Sequence, residues 1–218
     1  MAKIIQSWRL FWLLALVVSA AICLGLPFAD FHSFRGTEFI ILHAVRCALP
    51  FFLVAFTASS FATLWPSRRT RWLLSNRRYF GLAFAFGMGW HFAFVGYSMM
   101  SFGNQLGSTD IVLDLIGLCF LLAMSLTSFR RYARRLSLAN WRRLHKTGVY
   151  TIWFLVTYFN LDGFRQDRDL LHFALLSLFL AAWVLRVIAW TRKWSGSRKL
   201  RLEMPGKTAA RPESKGAV

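Results

Sequence analysis

The sequence predicts an all-α, polytopic membrane protein: a bundle of six transmembrane helices with both termini cytoplasmic. Three observations predict this fold. Of the 218 residues, 56% are hydrophobic and only 17% are charged, and the mean hydropathy is +0.45. The apolar residues form six stretches, each near the ~20 residues that cross a bilayer. The 27 Lys and Arg residues outnumber 9 Asp and Glu, and most of these cations lie in connections on one side. This composition excludes a soluble nucleic-acid-binding domain.

The predicted spans follow one another along the chain. They run approximately over residues 10–28, 39–65, 79–101, 111–129, 147–161 (with a basic lead-in from 141) and 170–191. The first could instead be a cleaved signal peptide, because Lys3 and Arg9 precede an apolar run that ends in small residues, but its length favours a span. We assign residues 1–194 to a single transmembrane domain, since the length leaves no room for a second folded domain. Residues 195–218 mix Gly, Pro, Ser and charged residues, which predicts a basic, disordered tail in contact with anionic lipid.

The orientation follows from the connections. Those after the second and fourth spans are rich in basic residues: Arg68, Arg69, Arg71, Arg77, Arg78, Arg130, Arg131, Arg134, Arg135, Arg142, Arg143 and Lys146. The connections on the other side carry most of the acidic residues. By the positive-inside rule, the arginine-rich side is cytoplasmic. We therefore expect a multi-pass protein of the cell membrane, in the bacterial inner membrane.

The sequence lacks the motifs of several kinds of site. Cys23, Cys47 and Cys119 each lie in an apolar run, and none belongs to a C-x-x-C or C-x-x-C-H sequence. This argues against a disulfide framework, a structural zinc site and covalently attached haem. The sequence also contains no Gly-rich phosphate loop and no dinucleotide fingerprint. We therefore predict that the protein has no flavin or nicotinamide domain of its own.

His91 is the most conspicuous candidate for chemistry. It lies in the middle of the third span, and an ionisable side chain at membrane depth is a functional candidate by default. Gly87, Gly89 and Gly96 on the same helix would flatten its surface, as the approach of a porphyrin edge to an imidazole requires. A neutral imidazole that bonds a neighbouring backbone group is the alternative.

Two further residues complete the candidate set. His145 opens the fifth span at the cytoplasmic edge, where solvation by water would explain it as a plain surface residue. Arg46 lies one helical turn after His43 in the second span, deeper in the membrane, and its charge needs an anionic partner. A haem propionate or a lipid phosphate would serve.

Three motifs follow one another through the middle of the chain: Arg77-Arg78-Tyr79-Phe80-Gly81-Leu82 running into His91 and Tyr97, then Leu126-Thr127-Ser128, then Trp141-Arg142-Arg143-Leu144-His145 with Tyr150 following. Their order resembles the ferric-reductase-like transmembrane family. The likeness covers roughly residues 40–160 and is greatest to the haem-binding membrane subunits of bacterial periplasmic methionine sulfoxide reductase systems.

The resemblance implies non-covalent b-type haem in a pocket among the middle spans. Its iron ligands lie on spans three and five, which correspond here to His91 and His145. The family usually has a second histidine about thirteen residues further along span five, where this sequence has Tyr158. Counted from Tyr79, His91 lies ~18 Å into its span, and Tyr158 lies ~20 Å beyond His145, so the two match in depth. Three arrangements stay open: His91 with Tyr158 or with an open site, a tilted His91–His145 pair, and a bundle without haem.

The function implied is transmembrane electron transfer, as the electron-transfer component of an oxidoreductase. A separate flavin reductase that carries FMN or FAD, or membrane quinol, would supply electrons at the cytoplasmic face, and an outer-side redox partner would accept them. We expect no nucleic-acid partner. The alternative is a non-redox membrane scaffold or small permease that retains the six-helix fold without haem.

Overall fold

The computed structural model describes residues 8–103, 107–167 and 170–203. Throughout these ranges the secondary structure is helical, which confirms the predicted all-α class. The helices are α1 (Trp8–Cys23), α2 (Phe34–Leu64), α3 (Arg68–Phe102), α4 (Ser108–Thr127), α5 (Arg130–Ala133), α6 (Leu138–Asp167) and α7 (Leu170–Glu203), with one 3₁₀ turn at Leu26–Phe28.

The chain is a multi-pass membrane protein. Five segments of the described chain are long and apolar enough to cross a bilayer: Trp8–Phe28, Phe34–Leu64, Arg68–Phe102, Thr109–Thr127 and Leu170–Ser195. Helix α6, with 30 residues, is long enough but is not among them. The reason lies in its composition, because the stretch 147–161 interleaves apolar residues with Tyr, Trp, Thr and Asn, and these lower its hydropathy.

Several helices extend beyond the predicted spans. The basic segment Arg68–Arg78, which the sequence suggested was a connection, forms the first three turns of α3. Its start is fixed by a capping box, in which the Ser67 hydroxyl accepts from the Thr70 N–H and the Thr70 hydroxyl accepts from the Ser67 N–H. Helix α7 continues to Glu203, into the segment predicted to be a tail. Lys3 and residues 204–218 lie outside the described residues.

Five helices form a closed ring. Helix α2 packs against α3 and α7, α7 against α6, and α6 against α4, while a smaller contact between α4 and α3 completes the ring. Helix α1 packs outside it, against α3 and α2. At Gly87 the approach is so close that a Cβ atom would meet Ala48 Cβ at 2.8 Å and Val18 Cγ2 at 3.0 Å. Gly87 therefore serves helix packing rather than a porphyrin groove, whereas an added Cβ at Gly89 or Gly96 would meet open space.

An aromatic layer crosses the middle of the ring. It consists of Phe52, Phe84 and Phe179, all buried, one each from α2, α3 and α7. The Phe52 ring centroid lies 5.1 Å from that of Phe84 and 6.0 Å from that of Phe179, to which it is nearly parallel. Such contacts are favourable beyond the area they bury. On α3, the layer lies between the basic first turns and His91.

The two ends of the bundle differ in charge. Helices α2, α4 and α7 finish, and α3 and α6 begin, at what we call the basic end, which carries Arg68, Arg69, Arg71, Arg77, Arg78, Arg131, Arg134, Arg135, Arg142, Arg143, Lys146 and Arg192. The part of the interior beside this end contains the site described next.

Candidate functional site

The ring helices line a partly open cavity of about 480 Å³ between the aromatic layer and the basic end. All five ring helices line it. Phe52 on α2 and Phe84 on α3 are among its lining residues, so the cavity reaches the aromatic layer. Most of its walls are apolar, with contributions from Phe56, Leu82, Leu121, Val149 and Ile152. Its size and apolar walls are typical of small-molecule and cofactor sites.

The polar groups of the cavity are basic. Arg77, Arg78, Arg142, Lys146 and Arg186 line it, and none of the described lining residues is acidic. The Nε atom of Arg78 is buried without a hydrogen-bond partner among the described residues, and its guanidinium lies 5.4 Å from the Trp8 ring centroid. Positive charges gathered around a low-dielectric space attract anions strongly. The cavity therefore suits a ligand with an apolar body and acidic groups.

His145 is the one histidine among the described lining residues. Its Nε2 lies 3.1 Å from the Thr127 hydroxyl oxygen, and its ring stacks at a slant on Trp141, with 4.4 Å between centroids. The Thr127 hydroxyl donates to the Ala123 carbonyl at 2.7 Å, so the tautomer with the proton on Nε2 satisfies both contacts. The Nδ1 lone pair is then free for another partner.

Burial, and secondarily the charge of Arg77, lowers the pKa of His145 below its ordinary value of 6.5. His145 precedes the apolar stretch 147–161, at the edge of the bundle. A lowered pKa keeps the imidazole neutral, which is the state that can ligate a metal. Both the tautomer and the protonation state of His145 thus suit an axial ligand.

Arg186 reaches the cavity from α7. Its Nη1 donates to the Phe56 carbonyl at 2.7 Å and its Nε donates to the Tyr150 hydroxyl at 3.2 Å. The guanidinium carbon also lies 4.4 Å from the Phe56 ring centroid and 5.2 Å from that of Tyr150. These contacts orient the guanidinium without neutralising it.

His91, by contrast, does not line the cavity. It lies on α3 seven residues beyond Phe84, ~10 Å further along the helix and on the other side of the aromatic layer. The side chain is buried, its Nδ1 is 3.4 Å from the Ile41 carbonyl, and its Nε2 is 3.6 Å from the nearer Asp114 carboxylate oxygen. That second distance is too long for a hydrogen bond, so Nε2 is buried without one among the described residues.

Tyr158 and Arg46 also lie away from the cavity. The Tyr158 side chain is 37% exposed and packs edge-on against Phe159. Arg46 faces α7, where its Nη2 is 3.3 Å from His172 Nε2. Of the four residues predicted to bind the cofactor, the structure therefore places only His145 in the cavity, and it does not bring His91, Tyr158 and His145 together around one point.

Two functional candidates escaped the sequence analysis. Arg186 is the one charged residue between Leu170 and Thr191, and Asp114 is a carboxylate inside the fourth apolar stretch. Both carried the signal that singled out His91, an ionisable side chain at membrane depth. A search of every span for ionisable residues would have found both.

The donor set determines which cofactors fit. Among the described residues, no cluster of three or more His, Cys, Asp or Glu side chains could hold a metal ion. A haem iron needs only one or two axial ligands, and an imidazole can supply one. One neutral histidine, apolar walls and a group of cations together match a flat apolar macrocycle with acidic substituents.

Comparison with known proteins gives no family for this chain. No protein-family model matches it, and comparisons with curated proteins and with solved structures found no match. Its functional assignment therefore depends on the cavity and the residues around it.

Proposed function

We propose that this protein is a transmembrane electron carrier that binds b-type haem non-covalently in the cavity. One observation carries the proposal: a neutral histidine and five cations surround one apolar-walled space inside a membrane bundle. An uncharged cofactor would leave Arg186, whose contacts given by the structure are all with neutral groups, without an anionic partner. A purely polar anion would leave the aromatic and aliphatic walls unexplained.

Each part of the cavity has a role towards haem. His145 would hold the haem iron, through Nδ1. The basic side chains would bind the two propionates, as arginine readily binds carboxylates. Gly81 leaves a flat surface, because an added Cβ there would meet nothing within 4 Å. The bound haem supplies the one-electron redox chemistry, and the protein sets its potential through the axial ligand and the exclusion of water.

We propose six membrane spans, with the basic end cytoplasmic. Helix α4 reaches the basic end at Thr127 and α7 begins at the opposite end with Leu170. Helix α6 is the long helix between them and packs against both, so it crosses the bilayer alongside them. Exposed Trp65, Trp190 and Trp194 near the basic end suit the headgroup region.

The electron donor acts at the basic end. It is either a separate flavin reductase, held by its own acidic surface, or membrane quinol. The outer acceptor is a redox partner on the opposite side. The resemblance to haem-binding subunits of methionine sulfoxide reductase systems supports such a two-sided arrangement.

Absorption spectroscopy of the purified full-length protein tests the proposal. After expression with added haem, we expect a Soret band that His145→Ala largely removes. His43→Ala is the matched control, because His43 is a membrane histidine that bonds the Ala21 carbonyl and lies outside the cavity. Colourless wild-type protein would refute the electron-transfer function in favour of a scaffold or permease.

His91→Ala tests the ligand set that the family resemblance implies. If the Soret band persists in His91→Ala and is lost in His145→Ala, the cavity histidine is the ligand. Loss in His91→Ala alone would refute the assignment to His145 and restore His91 as the principal ligand. Loss in both would mean that the two nitrogens share the iron after the helices shift.

A further inference from the structure

We infer that Arg186 is the specificity-determining residue of the cavity, the receptor for an acidic group on the bound ligand. This inference rests on the proposed haem function and assigns one residue within it. It concerns a position in α7 that neither the family resemblance nor the sequence patterns singled out.

Arg186 lies at membrane depth in α7. Arg186 lies six residues before Arg192, so it is ~9 Å deeper along α7. Arg192 already contacts the Leu64 carbonyl at the end of α2, at 3.3 Å, near the basic end. Arg186 therefore lies more than a helical turn below the edge of the bundle, where an uncompensated charge is costly.

The contacts of Arg186 are with neutral groups. Those given by the structure are a backbone carbonyl, a phenol hydroxyl and two aromatic rings, from Phe56 and Tyr150, and all are neutral. A guanidinium has five N–H donors, and these hydrogen bonds use two of them. The donors left over belong to a side chain that lines the cavity.

The other cations of the cavity differ from Arg186 in their surroundings. Arg77, Arg142 and Lys146 are exposed near the basic end, where water solvates them. Arg78 is half-buried, and its guanidinium lies 5.4 Å from the Trp8 ring centroid and 5.7 Å from that of Tyr79. Arg186 differs because its orientation is fixed by contacts with two helices, α2 and α6. A preorganised cation forms stronger and more selective hydrogen bonds with a carboxylate than a flexible surface cation does. It is thus the cavity residue best placed to distinguish an acidic ligand from a neutral one of the same shape.

The experiment compares haem with its dimethyl ester, which has the same macrocycle but no acidic groups. Full-length apoprotein in detergent is titrated with each, and the dissociation constants are measured from the Soret absorbance. We expect wild type to bind haem at least about tenfold more tightly than the ester, the loss expected for a charge-assisted hydrogen bond. Arg186→Gln should bind both with similar, weaker affinity.

Two controls separate a receptor from a structural residue. Arg46→Gln removes another membrane arginine, one that bonds a neutral histidine outside the cavity, and should keep the wild-type preference for haem. Tyr150→Phe removes a neutral partner of Arg186 but keeps the charge, so the preference should shrink without vanishing. If Arg186→Gln is not recovered, Arg186→Leu replaces it, since leucine suits an apolar span.

The outcomes distinguish this inference from the proposed function. Wild type that binds neither compound overturns the proposed function and, with it, the role of Arg186. Wild type that binds both equally overturns only the inference. An Arg186 variant that prefers haem as strongly as wild type does also overturns it, and assigns the selectivity to the cations nearer the basic end.

Discussion

Thr127 offers a sharp test of the orientation of His145. Its hydroxyl accepts from His145 Nε2 at 3.1 Å and donates to the Ala123 carbonyl at 2.7 Å. Thr127→Val keeps the shape of the side chain but removes this acceptor. The Nε2–H group would then lose the partner that fixes the tautomer and the direction of the ring, and Nδ1 would no longer be held in its ligating state.

The magnitude follows from the cost of an unpaired donor. Leaving a buried donor without a partner costs ~1–3 kcal/mol, and ~1.4 kcal/mol corresponds to a factor of ten in affinity. His145 is only partly buried, so the lower part of this range applies. We expect Thr127→Val to weaken haem binding by about tenfold, the lower end of the range for residues that orient a metal ligand.

The assay is titration of apoprotein with haem, with Thr157→Val as the matched control. Thr157 is also a partly buried helical threonine that donates to a carbonyl four residues earlier, that of Trp153, at 2.8 Å. It has no contact with a histidine among the hydrogen bonds of the described residues. Equal losses in the two variants, or wild-type affinity in Thr127→Val, would refute the role of Thr127 in orienting His145.

Three further predictions concern the bundle as a whole. Reporter fusions after Arg143 should be cytoplasmic and those after Asp167 external, and the same side for both would refute the crossing of α6. Gly87→Leu should lower the midpoint of thermal unfolding through an overpacking cost of ~1–3 kcal/mol, whereas Gly89→Leu, which enters open space, should not; equal effects would contradict the tight packing at Gly87. Because the pKa of His145 is lowered, its contribution to stability is complete above the ordinary value of 6.5 and is lost as the pH falls. The midpoint should therefore fall between about pH 7 and pH 5, and an equal fall in His145→Gln would show that other groups are responsible.

The helical class and the positions of most spans could be predicted because they depend on local composition. Runs of apolar residues mark the spans, and basic residues mark where a span ends, but not where its helix ends, since Arg68–Arg78 begins α3. Helix α6 shows the limit of that approach, since its Tyr, Trp, Thr and Asn residues lower the hydropathy of the stretch, and some of them have hydrogen-bond partners inside the bundle. Tyr150 is an example, because its hydroxyl accepts from Arg186.

The composition of the cavity could be predicted only in part. His145 was singled out as a candidate, whereas the arginines of the basic end were used only for orientation and in the motifs of the family resemblance. The depth calculation paired His91 with Tyr158. Depth along a helix can be counted from residue numbers, whereas the rotation of each helix about its own axis depends on packing such as that of Gly87 on Ala48. That rotation turns His91 towards Asp114 and leaves Tyr158 37% exposed.

The ring of helices also has a consequence for biogenesis. Its walls come from distant parts of the chain, from Phe52 on α2 to Arg186 on α7, and α4 is held mainly by α6 rather than by its neighbour in sequence, α3. During synthesis, therefore, the enclosure is incomplete until translation has passed Arg186 and α7 has entered the bilayer. A ligand that requires all five walls is loaded after the last helix inserts, and a chain that stops short of α7 reaches the membrane without a place to hold it.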